Sequence, residues 1–141
     1  DYVPKGPPAS GVIVCGSYNK PNFGCSDESR DTATAYLQAL LWAIDGNPTY
    51  ANNAMAILNL YAQKLKGYGK YDGREFNAPL QAGWSGMMYS KAAELLAHAT
   101  GGAGTPCQRS ARALESSALQ LVAIAFILWA PRHALVYQLT P

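Results

Sequence analysis

Apolar residues recur at helical spacing along much of the chain, and they predict a series of helices. The first series consists of Ala33, Leu37, Leu40, Leu41 and Ile44. An acidic segment precedes it and Gly46-Asn47-Pro48 follows it, as is typical of a helix start and a helix end. We therefore predict a first helix with this apolar stripe, and we place Trp42, which lies beside the stripe, in the core.

Three further helices follow in the pattern. A second helix begins at about Thr49 and stops before Gly67, and its short connection to the first helix implies an antiparallel hairpin. A third helix is predicted from Pro79 to Thr100 and a fourth from Ser110 to Ala130. The second half of the fourth helix is apolar on all sides, but it is shorter than the roughly 20 apolar residues of a membrane span. No membrane span is predicted.

Two segments lack helical periodicity. Residues 1–28 are rich in Pro and Gly and predict a long loop, with a short extended piece at residues 12–14. Residues 67–77 form a polar loop rich in Gly and Tyr, of the kind that often carries function. The length suits a single domain. We divide it into a loop region at 1–28, helical hairpins at 29–104 and a C-terminal segment at 105–141.

Charge and histidine placement exclude some function classes. Charged residues make up 14% of the chain and the net charge is +2, without a run of Lys and Arg, so we predict no nucleic-acid partner. His98 and His133 show no ligand spacing with the cysteines, so no metal site and no cofactor are predicted. The acidic group at residues 27–31 would suit a metal or a sugar, but we interpret it as the solvated first turn of the first helix.

Three cysteines indicate a disulfide and a leftover thiol. Cys15 and Cys25 bracket a loop rich in Gly, Asn and Pro, and a disulfide between them would stabilise this segment and suit a secreted, extracellular protein. Cys107 is left over, which means a free thiol, an intermolecular bridge or an altered sequence.

The segment Asn77–Gly86 holds the candidate chemistry. It places two amides and an indole, those of Asn77, Gln81 and Trp84, where the third helix begins at Pro79. Gln81 and Trp84 are three residues apart and would share a helix face. Neutral hydrogen-bonding groups beside an aromatic ring suit a sugar, whereas the alternative is a capped helix whose Trp packs into the core.

Four segments in sequence order also point to a known family. They are Val3–Gly11, the loop from Cys15 to Cys25, Ala35–Trp42 and Asn77–Trp84. Together they resemble the alginate lyase superfamily in its fungal secreted branch, over residues 1–100. The family's fold is an all-helical α/α toroid of successive hairpins, and its members cleave uronic-acid polysaccharides by β-elimination. The resemblance therefore implies an all-α fold, a partial α/α toroid of the four predicted helices with a long N-terminal loop.

The resemblance also implies roles for individual residues. β-Elimination needs a group that stabilises charge at the uronate carboxylate, a base for the C5 proton and an acid for the leaving O4. Asn77 and Gln81 would serve the first role, and Trp84 would stack on a sugar ring. Tyr71 and Arg74, in the loop before them, would contact substrate.

The chain departs from the family pattern toward its C-terminus. The family's main catalytic His, Tyr and Arg lie downstream of residue 100, and none of them is matched; beyond Gly104 the sequence looks like another reading frame, a retained intron or a natural truncation. We therefore predict a polysaccharide lyase-like protein by ancestry, of alginate or glucuronan type, that lacks the full catalytic set. The alternative is a non-catalytic secreted fungal protein with a glycan-binding or immunomodulatory role. The predicted partner is an acidic polysaccharide or a cell-surface glycan. The apolar helix 110–130 would allow a homodimer.

Overall fold

Three helices make up most of the chain that the structure describes. The computed structural model describes residues 2–74 and 77–99. The helices are α1 (Cys25–Asp45), α2 (Pro48–Lys64) and α3 (Ala78–His98). The predicted fourth helix and homodimer segment, 110–130, and Cys107 lie outside the described residues.

Local sequence explains where these helices begin and end. Gly24 precedes α1 with a φ of 88°, and a Cβ at this glycine would lie 2.7 Å from Pro8 Cδ. Gly46 ends α1 in a left-handed conformation, donating its N–H to Trp42 O. Asn47 then caps α2, because its side chain accepts the N–H of Thr49.

A small mixed sheet lies beside the helices. It consists of β1 (Val12–Cys15), β2 (Asn22–Phe23) and β3 (Gly67–Tyr68), in the order β2-β1-β3. β1 pairs with β2 in antiparallel register, with Val14 opposite Phe23, and with β3 in parallel register, with Ile13 opposite Tyr68. The sheet therefore connects the loop before α1 with the loop after α2.

This architecture corrects the predicted fold class. The all-α prediction of antiparallel hairpins in a four-helix partial α/α toroid is wrong, because the described residues form three helices and a mixed three-stranded sheet. The N-terminal region that was predicted as a long loop contributes β1 and β2 to this sheet. The short extended piece predicted at residues 12–14 is confirmed as part of β1, whereas β2 and β3 were missed. These two strands have two residues each, and the pairing of β1 with β3 joins segments that are far apart in sequence and leaves no local pattern.

Side-chain contacts give the direction of each helix pair. Asn53 bonds to Gln38 and Tyr61 bonds to Asp31, so α1 and α2 run antiparallel. α1 and α3 run parallel, because Gln81 lies near Cys25 at the start of α1 while Lys91 lies over the ring of Tyr36. The core between the helices contains many alanines, which allow the helix backbones to approach closely.

The two faces of α1 differ from the expected pattern. Its inner face is buried and carries Glu28, Asp31, Thr32, Ala35, Ala39 and Trp42. The opposite face exposes three large aliphatic side chains of the predicted apolar stripe, which we call the outer seam: Leu37, Leu41 and Ile44. The interpretation of residues 27–31 as a solvated turn is thus wrong for Glu28 and Asp31, both of which are 0% exposed.

Candidate functional site

Glu28 is the centre of a buried network between α1, β3 and α3. Its Oε1 accepts hydrogen bonds from the Tyr68 hydroxyl at 2.6 Å and the Tyr89 hydroxyl at 3.2 Å. Its Oε2 accepts from Gln81 Nε2 at 2.8 Å. One carboxylate therefore fixes the positions of three elements that are far apart in sequence.

Asp31, one turn later on α1, fixes the N-terminal segment. It accepts hydrogen bonds from the hydroxyls of Tyr2 and Tyr61 and from the backbone N–H groups of Lys5 and Gly6. The bond from Gly6 is 2.8 Å long and buried. Four donors on one carboxylate hold residues 2–6 against α1 and α2.

These two networks form one buried polar cluster. Its members are Glu28, Asp31, Tyr2, Tyr61, Tyr68, Gln81 and Tyr89, and the rings of Tyr61 and Tyr89 lie 5.6 Å apart. Neither carboxylate forms an ion pair with a Lys, Arg or His of residues 2–74 or 77–99. Hydroxyl and amide donors replace basic partners in this cluster.

Burial determines the proton affinities in the cluster. It raises the pKa of Glu28, although hydrogen bonds from Tyr68 and Gln81 act in the opposite direction. Burial also raises the pKa of the Tyr68 and Tyr89 hydroxyls, and the negative charge of Glu28 adds to this. These tyrosines therefore keep their protons and donate them in hydrogen bonds, which is a structural role and not that of a base.

The predicted amides lie toward the interior. Gln81 is 4% exposed, and its Nε2 lies within 3.1 Å of the Ser29 and Ser85 hydroxyl oxygens in addition to Glu28. Asn77 is half-buried at the start of α3, where its N–H donates to Cys15 O and its side chain donates to Gly16 O. Both amides thus tie α3 to neighbouring elements.

On α3, the side chain of Trp84 is exposed, whereas that of Gln81 is buried. The Trp84 side chain is 57% exposed and lies on the outer face of the helix, in line with the exposed Leu80 and Met87. The expectation that Gln81 and Trp84 share a face is not met, because the boundary between buried and exposed surface falls between them. The alternative, a Trp packed into the core, is also wrong.

Tyr71 and Arg74, in contrast, lie together on a tight turn. They exchange two backbone hydrogen bonds, from Tyr71 N to Arg74 O at 2.9 Å and from Arg74 N to Tyr71 O at 3.0 Å. Asp72 and Gly73 form the turn, both with positive φ, as in the two-residue hairpin that Asp-Gly favours. Residues paired directly across an antiparallel bridge project to the same side, so both side chains lie on one exposed surface.

Phe23 of β2 completes this surface, and sequence reasoning missed it. Its side chain is 52% exposed, and its ring centroid lies 6.3 Å from that of Tyr71. We call Phe23, Tyr71 and Arg74 the aromatic–basic surface. The signal available in the sequence was an aromatic residue two positions before Cys25, in a polar loop between two cysteines.

A disulfide holds the loop from which Phe23 projects. Cys15 and Cys25 are bonded, with Cα atoms 5.7 Å apart, and both are buried. The bond joins the end of β1 to the start of α1, so β2 lies on a closed loop. Tyr18 is 97% exposed in the same loop, with a φ of 54°. The disulfide thus constrains the loop that contributes Phe23 to the aromatic–basic surface.

The described residues also limit the site in two ways. Within residues 2–74 and 77–99, no group of three or more His, Cys, Asp or Glu side chains is arranged to hold a metal ion. In the same part of the chain, no helix has the length and apolar character needed to cross a bilayer.

No family model, curated protein or solved structure matches the chain. The resemblance to the alginate lyase superfamily therefore stays a prediction.

Proposed function

We propose that this protein binds an acidic polysaccharide through the aromatic–basic surface and does not cleave it. The observation that carries the proposal is the pairing of Tyr71 with Arg74 across a tight turn, with the Phe23 ring 6.3 Å from that of Tyr71. Two exposed rings and a guanidinium on one surface combine the groups that a uronic-acid polymer requires.

Each group on this surface has a distinct role toward such a polymer. A guanidinium offers paired N–H donors that match the two oxygens of a uronate carboxylate. Aromatic rings cover the apolar face of a sugar ring and lose little conformational freedom on contact. Phe23 and Tyr71 therefore give affinity for the sugar, whereas Arg74 selects an acidic sugar over a neutral one.

The positions of the other side chains that could serve in β-elimination favour binding over cleavage. Gln81, which the resemblance assigned to carboxylate stabilisation, is enclosed by Glu28, Ser29 and Ser85. The hydroxyls of Tyr68 and Tyr89 donate to Glu28 instead of facing a polymer. Among the described residues, the aromatic–basic surface offers the Arg74 guanidinium for the carboxylate and one hydroxyl, that of Tyr71, whereas β-elimination needs both a base and an acid.

An extracellular location is part of this proposal. The Cys15–Cys25 bond closes the loop that carries Phe23. Disulfides persist in oxidising compartments, where secreted proteins and extracellular polysaccharides meet. Reduction of this bond would release β2 and weaken glycan binding.

Calorimetric titration with alginate, glucuronan and a neutral glucan tests the proposal. We expect binding to the two uronans only, and a roughly 10-fold loss of affinity in Arg74→Ala from the loss of a charge-assisted contact. Lys91→Ala removes an exposed cation of α3 and serves as the control, with unchanged affinity. Trp84→Ala asks in the same assay whether the outer face of α3 contributes.

Ultraviolet absorbance of the unsaturated product, followed in parallel, separates binding from cleavage. Product formation on any uronan would support the lyase that the resemblance implies and would overturn the non-catalytic proposal. Equal affinity of wild type and Arg74→Ala, or equal affinity for neutral glucan, would show that the aromatic–basic surface is not the binding site.

A further inference from the structure

The outer seam of α1 has the spacing of a helix-pairing face. Leu37, Leu41 and Ile44 are 55%, 43% and 72% exposed, and they follow one another at intervals of four and three residues. This alternation keeps side chains in line along a helix and is the pattern by which two helices interdigitate. Extended toward the start of α1, the same line passes through Thr34 and Arg30.

We propose that this seam pairs with the same seam of a second copy of the chain, with the two α1 helices antiparallel about a two-fold axis. No charged residue lies between Asp31 and Asp45, so the seam presents no like charges that would keep two copies apart. An aliphatic surface offers no hydrogen-bond donor to a glycan, so the seam is not an extension of the aromatic–basic surface.

The charges at the two ends of the seam select the antiparallel arrangement. Arg30 is exposed at one end and Asp45 at the other. When Leu37 lies opposite Leu41 of the second copy, Ile44 lies opposite Thr34, and each Arg30 lies within one helical turn of the other copy's Asp45. A parallel pair would bring like charges together at both ends, which is unfavourable.

The existing contact of Arg30 does not oppose this pairing. Its guanidinium lies 3.2 Å from Asp27 on the same helix, and the two side chains are 55% and 44% exposed. An exposed pair of this kind contributes little to stability, so Arg30 can turn toward a second copy at small cost. One short helix pair is a small interface, and we expect a dissociation constant on the order of 10 µM.

Sedimentation velocity of the full chain from about 1 to 100 µM tests the proposal. We expect the dimer fraction to rise across this range for wild type and to vanish for Leu41→Lys, which places two buried charges at the centre of the interface. Met87→Lys makes the same chemical change on the outer face of α3, where Met87 is 45% exposed, and should dimerise like wild type. Circular dichroism confirms that each variant is folded.

Charge exchange tests the direction of the helices. Arg30→Asp and Asp45→Arg should each weaken dimerisation about 10-fold, and the double variant should restore it, because the opposite charges meet again in exchanged positions. A wild-type chain that is monomeric throughout, or a Leu41→Lys variant that still dimerises, would overturn the proposal. A double variant that dimerises as weakly as the single variants would also overturn the proposal.

Discussion

The two faces of α1 reverse the usual distribution of polarity. The inner face buries two carboxylates, those of Glu28 and Asp31, whereas the outer seam leaves Leu37, Leu41 and Ile44 in solvent. Burying a carboxylate is unfavourable unless hydrogen bonds replace its hydration. Glu28 and Asp31 accept seven such bonds from tyrosine hydroxyls, backbone N–H groups and one amide.

The difference shows that partners, and not polarity alone, decide which face is inside. The tyrosines at 61, 68 and 89 come from three other segments and supply donors only along the first turns of α1. Farther along, the inner face carries Ala35, Ala39 and Trp42, and the two alanines fill the narrow space between helices. The aliphatic residues of the outer seam remain in solvent.

Removal of Asp31 should have the largest effect. Asp31→Ala leaves the hydroxyls of Tyr2 and Tyr61 and the N–H groups of Lys5 and Gly6 without their acceptor. We expect the free energy of unfolding in urea to fall by about 4 kcal/mol. Faster hydrogen exchange at Gly6 would show that the N-terminal segment is released.

Asp27→Ala is the control for this substitution. The Asp27 side chain is 44% exposed and pairs with Arg30 on its own helix, so its removal should cost less than about 0.5 kcal/mol. Equal losses from the two variants would mean that burial of the carboxylate is not what distinguishes the inner face.

Enlargement of a small inner residue should have the next largest effect. Ala39 is 0% exposed, and Ala39→Leu would insert extra methylene groups where α1 meets its neighbours. We expect a loss of about 2 kcal/mol from overpacking, measured as a lower midpoint in urea. A stabilised variant would reveal unfilled space beside Ala39 and would contradict the view that the leucines of α1 lie outside because this part of the inner face has no room.

The sequence predicted the bounds of the helices better than it predicted which face of each helix is buried. Predicted helix starts and ends lie close to those of α1, α2 and α3, because Gly46, Asn47, Pro48 and Pro79 act locally. The orientation of α1 was not predictable from its apolar spacing, since Ala35 and Ala39 were outweighed by larger residues. A useful signal was present: no basic residue lies three or four positions from Glu28 or Asp31, where it could pair with either on the same helix.

The candidate site was predicted only in part, because local sequence places some of its residues and tertiary packing places the others. Tyr71 and Arg74 flank an Asp-Gly turn, and a local signal of this kind places both side chains together. The exposure of Gln81 and Trp84 depends on which face of α3 packs against its neighbours, and local sequence does not determine that face. Phe23 reaches Tyr71 only through pairing of β2 with β1, a contact that no local pattern contains.

Glu28→Gln should have a smaller, pH-dependent effect. The substitution retains an acceptor for Tyr68 and Tyr89 and changes the contact with Gln81, so we expect a loss of about 1 kcal/mol at pH 4. Burial raises the pKa of Glu28 above its ordinary value of 4.5, so the folded state holds the proton more tightly than the unfolded state. Tighter proton binding by Glu28 therefore stabilises the folded state in full below pH 4.5. This stabilisation is lost as the pH rises through the pKa that Glu28 has in the folded state.

The difference between wild type and Glu28→Gln should therefore shrink from acidic to neutral pH. Urea unfolding of both proteins at matched pH values isolates Glu28, because their other ionisable groups are the same. A difference that stays constant or grows toward neutral pH would contradict a buried carboxyl with a raised pKa, and with it the account of the inner face.

The smallest effect is expected on the outer seam. Leu41 is 43% exposed, so Leu41→Ser removes few buried contacts and should change the free energy of unfolding by less than about 0.5 kcal/mol at concentrations where the chain is monomeric. Leu58→Ser is the matched control, because Leu58 is 6% exposed in the core and its loss should cost about 3 kcal/mol. If Leu41→Ser destabilises the monomer as much as Leu58→Ser does, the seam is covered within one chain, and a second copy is not needed to bury it.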